Sequence, residues 1–226
     1  MKYSIKFLIF AVTAICVGVA VFGARYQKQK QTVAWLQSYG IEVSHDRGDS
    51  PNWASAVDPN LLFDIKQLRI DRKECHDLGP ISSLTSLERL TVTSAKFKTL
   101  KPIFELSRLK FLHLNQTGVQ DLSGIEKLKS LETLNLMRTN VSDLKPLKEL
   151  SKLQNLNLNE TNIDDVGALE NMSELVHLQI ANTNVSDVKP LGSLKKLKIL
   201  YMCDTPVSPG AVEKLRDSLP NCHVLW

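Results

Sequence analysis

Aromatic side chains are scarce in this chain: Phe, Trp and Tyr together make up 6% of its 226 residues. Leucine dominates the apolar residues instead, which points to stacked layers rather than to one globular centre. Four cysteines, Cys16, Cys75, Cys203 and Cys222, are too few for a disulfide framework at this length. No long block of a single charge occurs. The 28 basic and 24 acidic residues are interspersed and leave a net charge of +4, which reads as a solvated mixed-charge surface and excludes a nucleic-acid-sized basic stripe. There is also no Cys-x-x-Cys zinc spacing, phosphate loop or nucleophile elbow. No catalytic residue, metal site or cofactor is therefore expected, and the chain is read as non-enzymatic.

One apolar run is long. Residues Phe7 to Ala24 carry no charge, with Lys2 and Lys6 before them and Arg25, Lys28 and Lys30 after them. As a helix such a run would be about 27 Å long, enough to cross a bilayer core. A cleaved signal peptide and an uncleaved anchor both fit. The length of the run and the basic residues directly after it favour the anchor. Positive charges flank both ends, so orientation is open, and a cleaved segment would leave a secreted protein.

Beyond residue 64 the chain repeats. Ile65, Leu87, Leu109, Leu131, Leu153, Leu175 and Leu197 recur every 22 residues without an insertion. Each interval is called a coil below, and its residues are numbered from 1 at these positions. In the coil from Leu131, apolar residues fall at positions 1, 4, 6, 11, 14, 17 and 20: Leu131, Leu134, Leu136, Val141, Leu144, Leu147 and Leu150. Positions 4 and 6 alternate with polar residues, the period of a strand with one buried face. Positions 14, 17 and 20 are three apart and suit a short helical or 3₁₀ return. One coil cannot bury its own leucines, so neighbours must stack.

Asp121, Asp143, Asp165 and Asp187 share position 13, where a carboxylate can cap the return segment. Pro102, Pro146 and Pro190 follow at position 16, within its first turn. Thr117, Thr139, Thr161, Thr183 and Thr205 occupy position 9. Lys73 and Ala95 interrupt that row, so the first two coils are expected to be less regular.

This phased pattern from Ile65 to Leu219 resembles the leucine-rich-repeat family, in its 22-residue internalin-like class. The resemblance implies an α/β solenoid with a parallel sheet on its concave side and short helical or 3₁₀ segments on its convex side. Many of these repeats carry Asn at position 9, whose side chain bonds the backbone of adjacent turns; a Thr hydroxyl can do part of that work. The resemblance also implies action through protein–protein contacts. The anchor, the helix after it and the Tyr-Gly pair look like membrane-anchored leucine-rich-repeat proteins of some bacteria.

The expected organisation is a flank at 1–6, a transmembrane or signal segment at 7–24, a linker and N-terminal cap at 25–64, seven repeats at 65–218 and a capping strand at 219–226. QTVAWLQSYG (31–40) reads as an amphipathic helix ended by Gly40, and IEV (41–43) alternates like a strand. Ser208 and Pro209 open a longer helix through about Ser218. If the repeat phase continues, Leu219, Cys222 and Val224 take positions 1, 4 and 6 of an eighth strand, with Cys222 buried and His223 beside Tyr201. Cys75, at position 11, reads as a core residue, and Cys203, at position 7, as exposed.

The candidate partner-binding residues lie at positions 3, 5 and 7: Arg69, Arg89, Phe111, His113, Asn135, Met137, Asn157, His177, Gln179 and Tyr201. Aromatic and Met anchors among uncharged polar groups suit a protein or peptide ligand. Side chains merely tolerated on an exposed sheet fit equally well. His113 and His177 are three coils apart, about 14 Å at the spacing of stacked strands, too far to share a metal. Arg47-Gly48-Asp49 matches an integrin-binding tripeptide, but a polar turn in the cap is the favoured reading. Asn140, Asn171 and Asn184 head glycosylation-type triplets that follow from repeat phase. The expected function is a membrane-anchored interaction scaffold that captures a protein through the concave face. The alternative is a cell-envelope protein that binds glycan or wall polymer.

Overall fold

The structure, a computed structural model, describes residues 23–24, 27–39, 41, 65–71 and 78–226. The apolar run at 7–22, the Arg47-Gly48-Asp49 triplet, Cys16 and Cys75 lie outside the described residues, as does most of the segment expected to be a strand at 41–43.

Among the described residues the repeat becomes one parallel sheet of eight strands in sequence order. These are β1 (Gln67–Ile70), β2 (Arg89–Val92), β3 (Phe111–His113), β4 (Thr133–Asn135), β5 (Asn155–Asn157), β6 (His177–Gln179), β7 (Ile199–Tyr201) and β8 (His223–Leu225). Position 4 of each strand is turned inward, so Leu112, Leu134, Leu156 and Leu178 are buried while their neighbours at positions 3 and 5 face out. In the coil from Leu131 all seven predicted apolar positions are buried. At about 1.5–3 kcal/mol for each fully buried Leu or Val, these rows dominate the stability of the stack.

Short 3₁₀ turns of three to five residues carry each of the first six coils back toward the sheet, as at Lys145–Glu149 and Lys189–Ser193. The position-13 aspartates do cap them, one residue upstream of the formal cap: Asp143 Oδ1 accepts from Lys145 N at 2.9 Å, and Asp187 Oδ1 accepts from Lys189 N at 2.9 Å. The position-9 threonines act differently from expectation. Each hydroxyl donates to a carbonyl three residues back in its own coil, as Thr161 does to Leu158 at 2.6 Å, and not to an adjacent coil. The side chain is too short to cross to the next layer, so it closes its own turn instead.

A further periodic feature is not signalled by residue type. Gln116, Arg138, Glu160, Asn182 and Asp204, all at position 8, have left-handed backbones with φ of 55–60°. Their conformation is held by the sheet: the N–H of Arg138 donates to Asn159 O at 3.0 Å and that of Glu160 to Ala181 O at 2.9 Å. The coil from Leu87 departs from this scheme, as expected. There Ser94 at position 8 is buried and Ala95 is exposed, and the larger Phe97 fills position 11.

The ends are closed by two α-helices. Helix α1 (residues 27–38) buries Val33 and Leu36, with Ile41 just beyond it. It is already helical at residue 27, four residues before the predicted QTVAWLQSYG segment. A polar staple docks it: the buried Thr32 hydroxyl lies 3.0 Å from Pro80 O and 2.8 Å from Ser83 Oγ on the first 3₁₀ turn, Gly79–Ser83. Helix α2 (Pro209–Ser218) has Ser208 as its N-cap, accepting from Ala211 N, with Pro209 in its first turn.

The eighth strand forms, but in a different register from the extrapolated one. Leu200 pairs with Val224, 24 residues on, whereas Leu178 pairs with Leu200 at the usual 22. An α-helix advances about 1.5 Å per residue against about 2.0 Å for a 3₁₀ turn, so α2 needs extra residues to return to the sheet. Val224 therefore holds the inward position assigned to Cys222, and Cys222 is half-buried just before the strand. His223 pairs with Ile199, and Leu225 is the residue beside Tyr201.

Candidate functional site

The open face of the sheet presents positions 3, 5 and 7 of successive coils, and all ten sequence-selected residues stand on it. Arg69, Arg89 and Tyr201 are exposed; Phe111, His113, Asn135, Met137, Asn157, His177 and Gln179 are half-buried by their neighbours. The structure divides them into three zones with different chemistry.

The first zone spans β1 to β3. Register places Arg89 opposite Phe111 and Thr91 opposite His113. The Arg89 guanidinium lies 3.5 Å from the Phe111 ring centroid, a stacked cation–π pair. Gln67, Arg69, Arg89, Thr91, Phe111 and His113 line a depression of about 330 Å³. His113 is held below the usual imidazole pKa, first by burial and then by the Arg89 charge. Arg69 Nε is 3.7 Å from Asp71, in a pair that is largely solvated.

The middle zone is a hydrogen-bond ladder. At position 3, Asn155 Nδ2 donates to Thr133 Oγ1 at 3.1 Å, and Asn155 Oδ1 lies 2.6 Å from His177 Nδ1. One row over, Asn159 Nδ2 donates to Gln179 Oε1 at 3.0 Å while its Oδ1 accepts from Ala181 N at 2.8 Å. Asn135 and Asn157 each turn back to accept from the backbone N–H two residues on, at 2.9 and 3.0 Å. These side chains spend much of their polar capacity on one another and on the backbone. The ladder was legible in principle, because its members repeat at 22-residue spacing, but sequence reasoning treated each as a separate surface residue.

The third zone is apolar. Tyr201, Leu225 and Trp226 are the exposed large hydrophobic residues among those described, at 39%, 43% and 46% exposure, and Tyr201 is paired across the sheet with Leu225. Only Tyr201 was selected from the sequence. Leu225 stood at position 7 in the extrapolated phase, and the two-residue slip of β8 brings it to position 5, beside Tyr201; Trp226 follows the strand. Cys203 is exposed, and burial raises the Cys222 thiol pKa. Among the described residues no three His, Cys, Asp or Glu side chains come together to hold a metal ion.

A sheet of phased strands joined by 3₁₀ returns has a counterpart in a family model described as a leucine-rich repeat region, which matches residues 74–225. The chain belongs to the leucine-rich-repeat family. Its repeats are similar to those of internalin C2 from Listeria monocytogenes, at 30% identity and a TM-score of 0.67, over 71% of this chain and 70% of that one. A second Listeria monocytogenes internalin, inlF, shares the fold at 23% identity and a TM-score of 0.66, over 70% of this chain and 46% of that one. A leucine-rich-repeat protein of Leptospira interrogans aligns at 23% identity and a TM-score of 0.52, covering 66% of this chain and 51% of that one. This leucine-rich-repeat chain thus spans about half the length of the last two. No curated protein matches it in sequence.

Proposed function

We propose that this leucine-rich-repeat protein is a membrane-anchored scaffold that binds a protein partner through the open face of its sheet. The observation that carries the reading is the composition of that face. Apolar and cationic anchors stand at its two ends, Phe111 stacked with Arg89 at one and Tyr201 with Leu225 at the other, with a self-satisfied polar ladder between them. Interfaces draw affinity from a few aromatic and Arg anchors surrounded by near-neutral polar contacts, and this face has that arrangement. The anchor is the uncharged run Phe7–Ala24. Among the described residues no helix is long and apolar enough to cross a membrane, and residues 7–22 are not among those described. No step of a reaction is assigned to any residue. The glycan reading has less support, because the Asn and Gln groups it would use already bond to one another or to the backbone.

The test is photo-crosslinking of the full chain in its native membrane, followed by identification of the captured protein. Met137→Ala and Tyr201→Ala are expected to reduce capture several-fold. Undiminished capture by both variants would remove the sheet face from the proposal. Protease accessibility in intact cells then reads which side of the membrane the coils occupy, and recovery of the chain in the soluble fraction would remove the anchor.

A further inference from the structure

Charge is distributed unevenly over the open sheet face. From β4 onward positions 3, 5 and 7 carry Thr, Asn, Met, His, Gln, Ala, Ile, Tyr and Cys, with no Lys, Arg, Asp or Glu before β8. The cationic groups of the face are concentrated in the β1–β3 depression, where Arg69 and Arg89 stand on adjacent strands. Register places Gln67 opposite Arg89 and Arg69 opposite Thr91, so the two guanidiniums are diagonal neighbours. Among the described residues the lining holds two guanidiniums, a carboxamide, a hydroxyl and an imidazole, and no carboxylate. Among the described residues Asp71 is the acidic neighbour paired with them, on Arg69, and both partners are more than half exposed, so solvent screens the pair.

The Arg89 guanidinium is oriented by its contact with Phe111. Stacking uses the π face of the ion and leaves its N–H donors directed around the rim. A planar fork held flat on a ring is preorganised for a carboxylate, which it meets with two parallel hydrogen bonds. Burial and the neighbouring Arg89 charge disfavour protonation of His113, so the imidazole adds a polar group without adding further positive charge.

We infer that this depression receives a carboxylate side chain of an extended acidic peptide segment, with Arg89 forking the carboxylate, Arg69 supplying the second charge and Phe111 backing the site. This deepens the scaffold reading and rests on it: the acidic segment belongs to the protein partner.

The experiment is fluorescence anisotropy with the detergent-solubilised full chain and a fluorescein-labelled, C-terminally amidated hexaglutamate peptide, with hexalysine as the control. Saturable binding of hexaglutamate and not of hexalysine is expected. Arg89→Met should weaken it about tenfold or more, as loss of a charge-assisted contact does. Arg89→Lys keeps the charge and loses the fork, so it should also weaken binding. Arg138→Met, at an exposed guanidinium already paired with Glu160, should leave it unchanged. Thermal melts verify that each variant is folded. Absence of hexaglutamate binding overturns the inference, as does full binding by folded Arg89→Met. Wild-type affinity in Arg89→Lys overturns the fork. If partner crosslinking persists while hexaglutamate fails, this inference falls and the scaffold stands; if Met137→Ala and Tyr201→Ala leave crosslinking intact, the scaffold reading falls on its own test.

Discussion

A Cβ placed on Gly118 would stand 2.5 Å from the carbonyl oxygen of Ala95. The later coils hold Asn140, Asn162 and Asn184 at this same position 10. The coil before it also differs: there Ser94 rather than Ala95 is buried, and the Ala95 carbonyl comes close to Gly118. Replacing Gly118 by the Asn of the other coils is therefore expected to destabilise the protein by about 1–3 kcal/mol, the usual cost of forcing atoms into occupied space. Chemical denaturation reads the change. A neutral or stabilising Gly118→Asn would show that the close approach to Ala95 relaxes at little cost.

Gly124 is the second glycine required by its surroundings. Its φ is 94°, and a Cβ there would overlap the ring of Phe104. Gly124→Ala should cost about 2 kcal/mol or more, from backbone strain and from the clash together. In a Phe104→Leu background the added cost should shrink but not vanish, because only the clash is relieved. Equal costs in the two backgrounds would assign the whole effect to the backbone.

The buried Thr161 hydroxyl donates to Leu158 O at 2.6 Å. Thr161→Val keeps the shape and removes the donor, leaving the carbonyl without that partner. A loss of about 1–2 kcal/mol is expected, and Thr161→Ser should retain most of the stability. If Thr161→Val proves neutral by thermal denaturation, the threonine row acts through packing alone.

His113 sets an acid limit. Its folded-state pKa lies below the ordinary 6.5, owing to burial and then to Arg89, so the unfolded chain binds the proton more readily. Above the unfolded value the group has no effect on stability. As pH falls below about 6.5 toward the lowered folded value, stability is lost. His113→Gln should remove this component and flatten the stability curve in that window, as followed by denaturant titrations across pH. Parallel curves for the two proteins would contradict the shift.

Much of this architecture was legible in the residues. Leu131, Leu134 and Leu136 mark strand and core by spacing alone, and Ser208-Pro209 marks the start of α2 by capping chemistry. The face that presents Phe111 and Tyr201 follows from the same alternation. Less visible was how side chains on that face combine. Arg89 stacks on Phe111 and Asn155 bridges Thr133 to His177 because coils 22 residues apart lie one strand apart, a relation that appears when the repeat is read across rather than along the chain.

The left-handed residues show the boundary most clearly. Gln116, Arg138 and Glu160 have no intrinsic preference for positive φ and adopt it because the next strand captures the N–H of each. The register of β8 shows it again, since its slip to Val224 depends on how far α2 advances along the coil. By itself, the sequence determined the period, the inward and outward faces and the return turns, because hydrophobic spacing and capping are local. Tertiary structure alone decided the left-handed corners, the side-chain ladder and the last strand's register, because each depends on contacts between neighbouring coils.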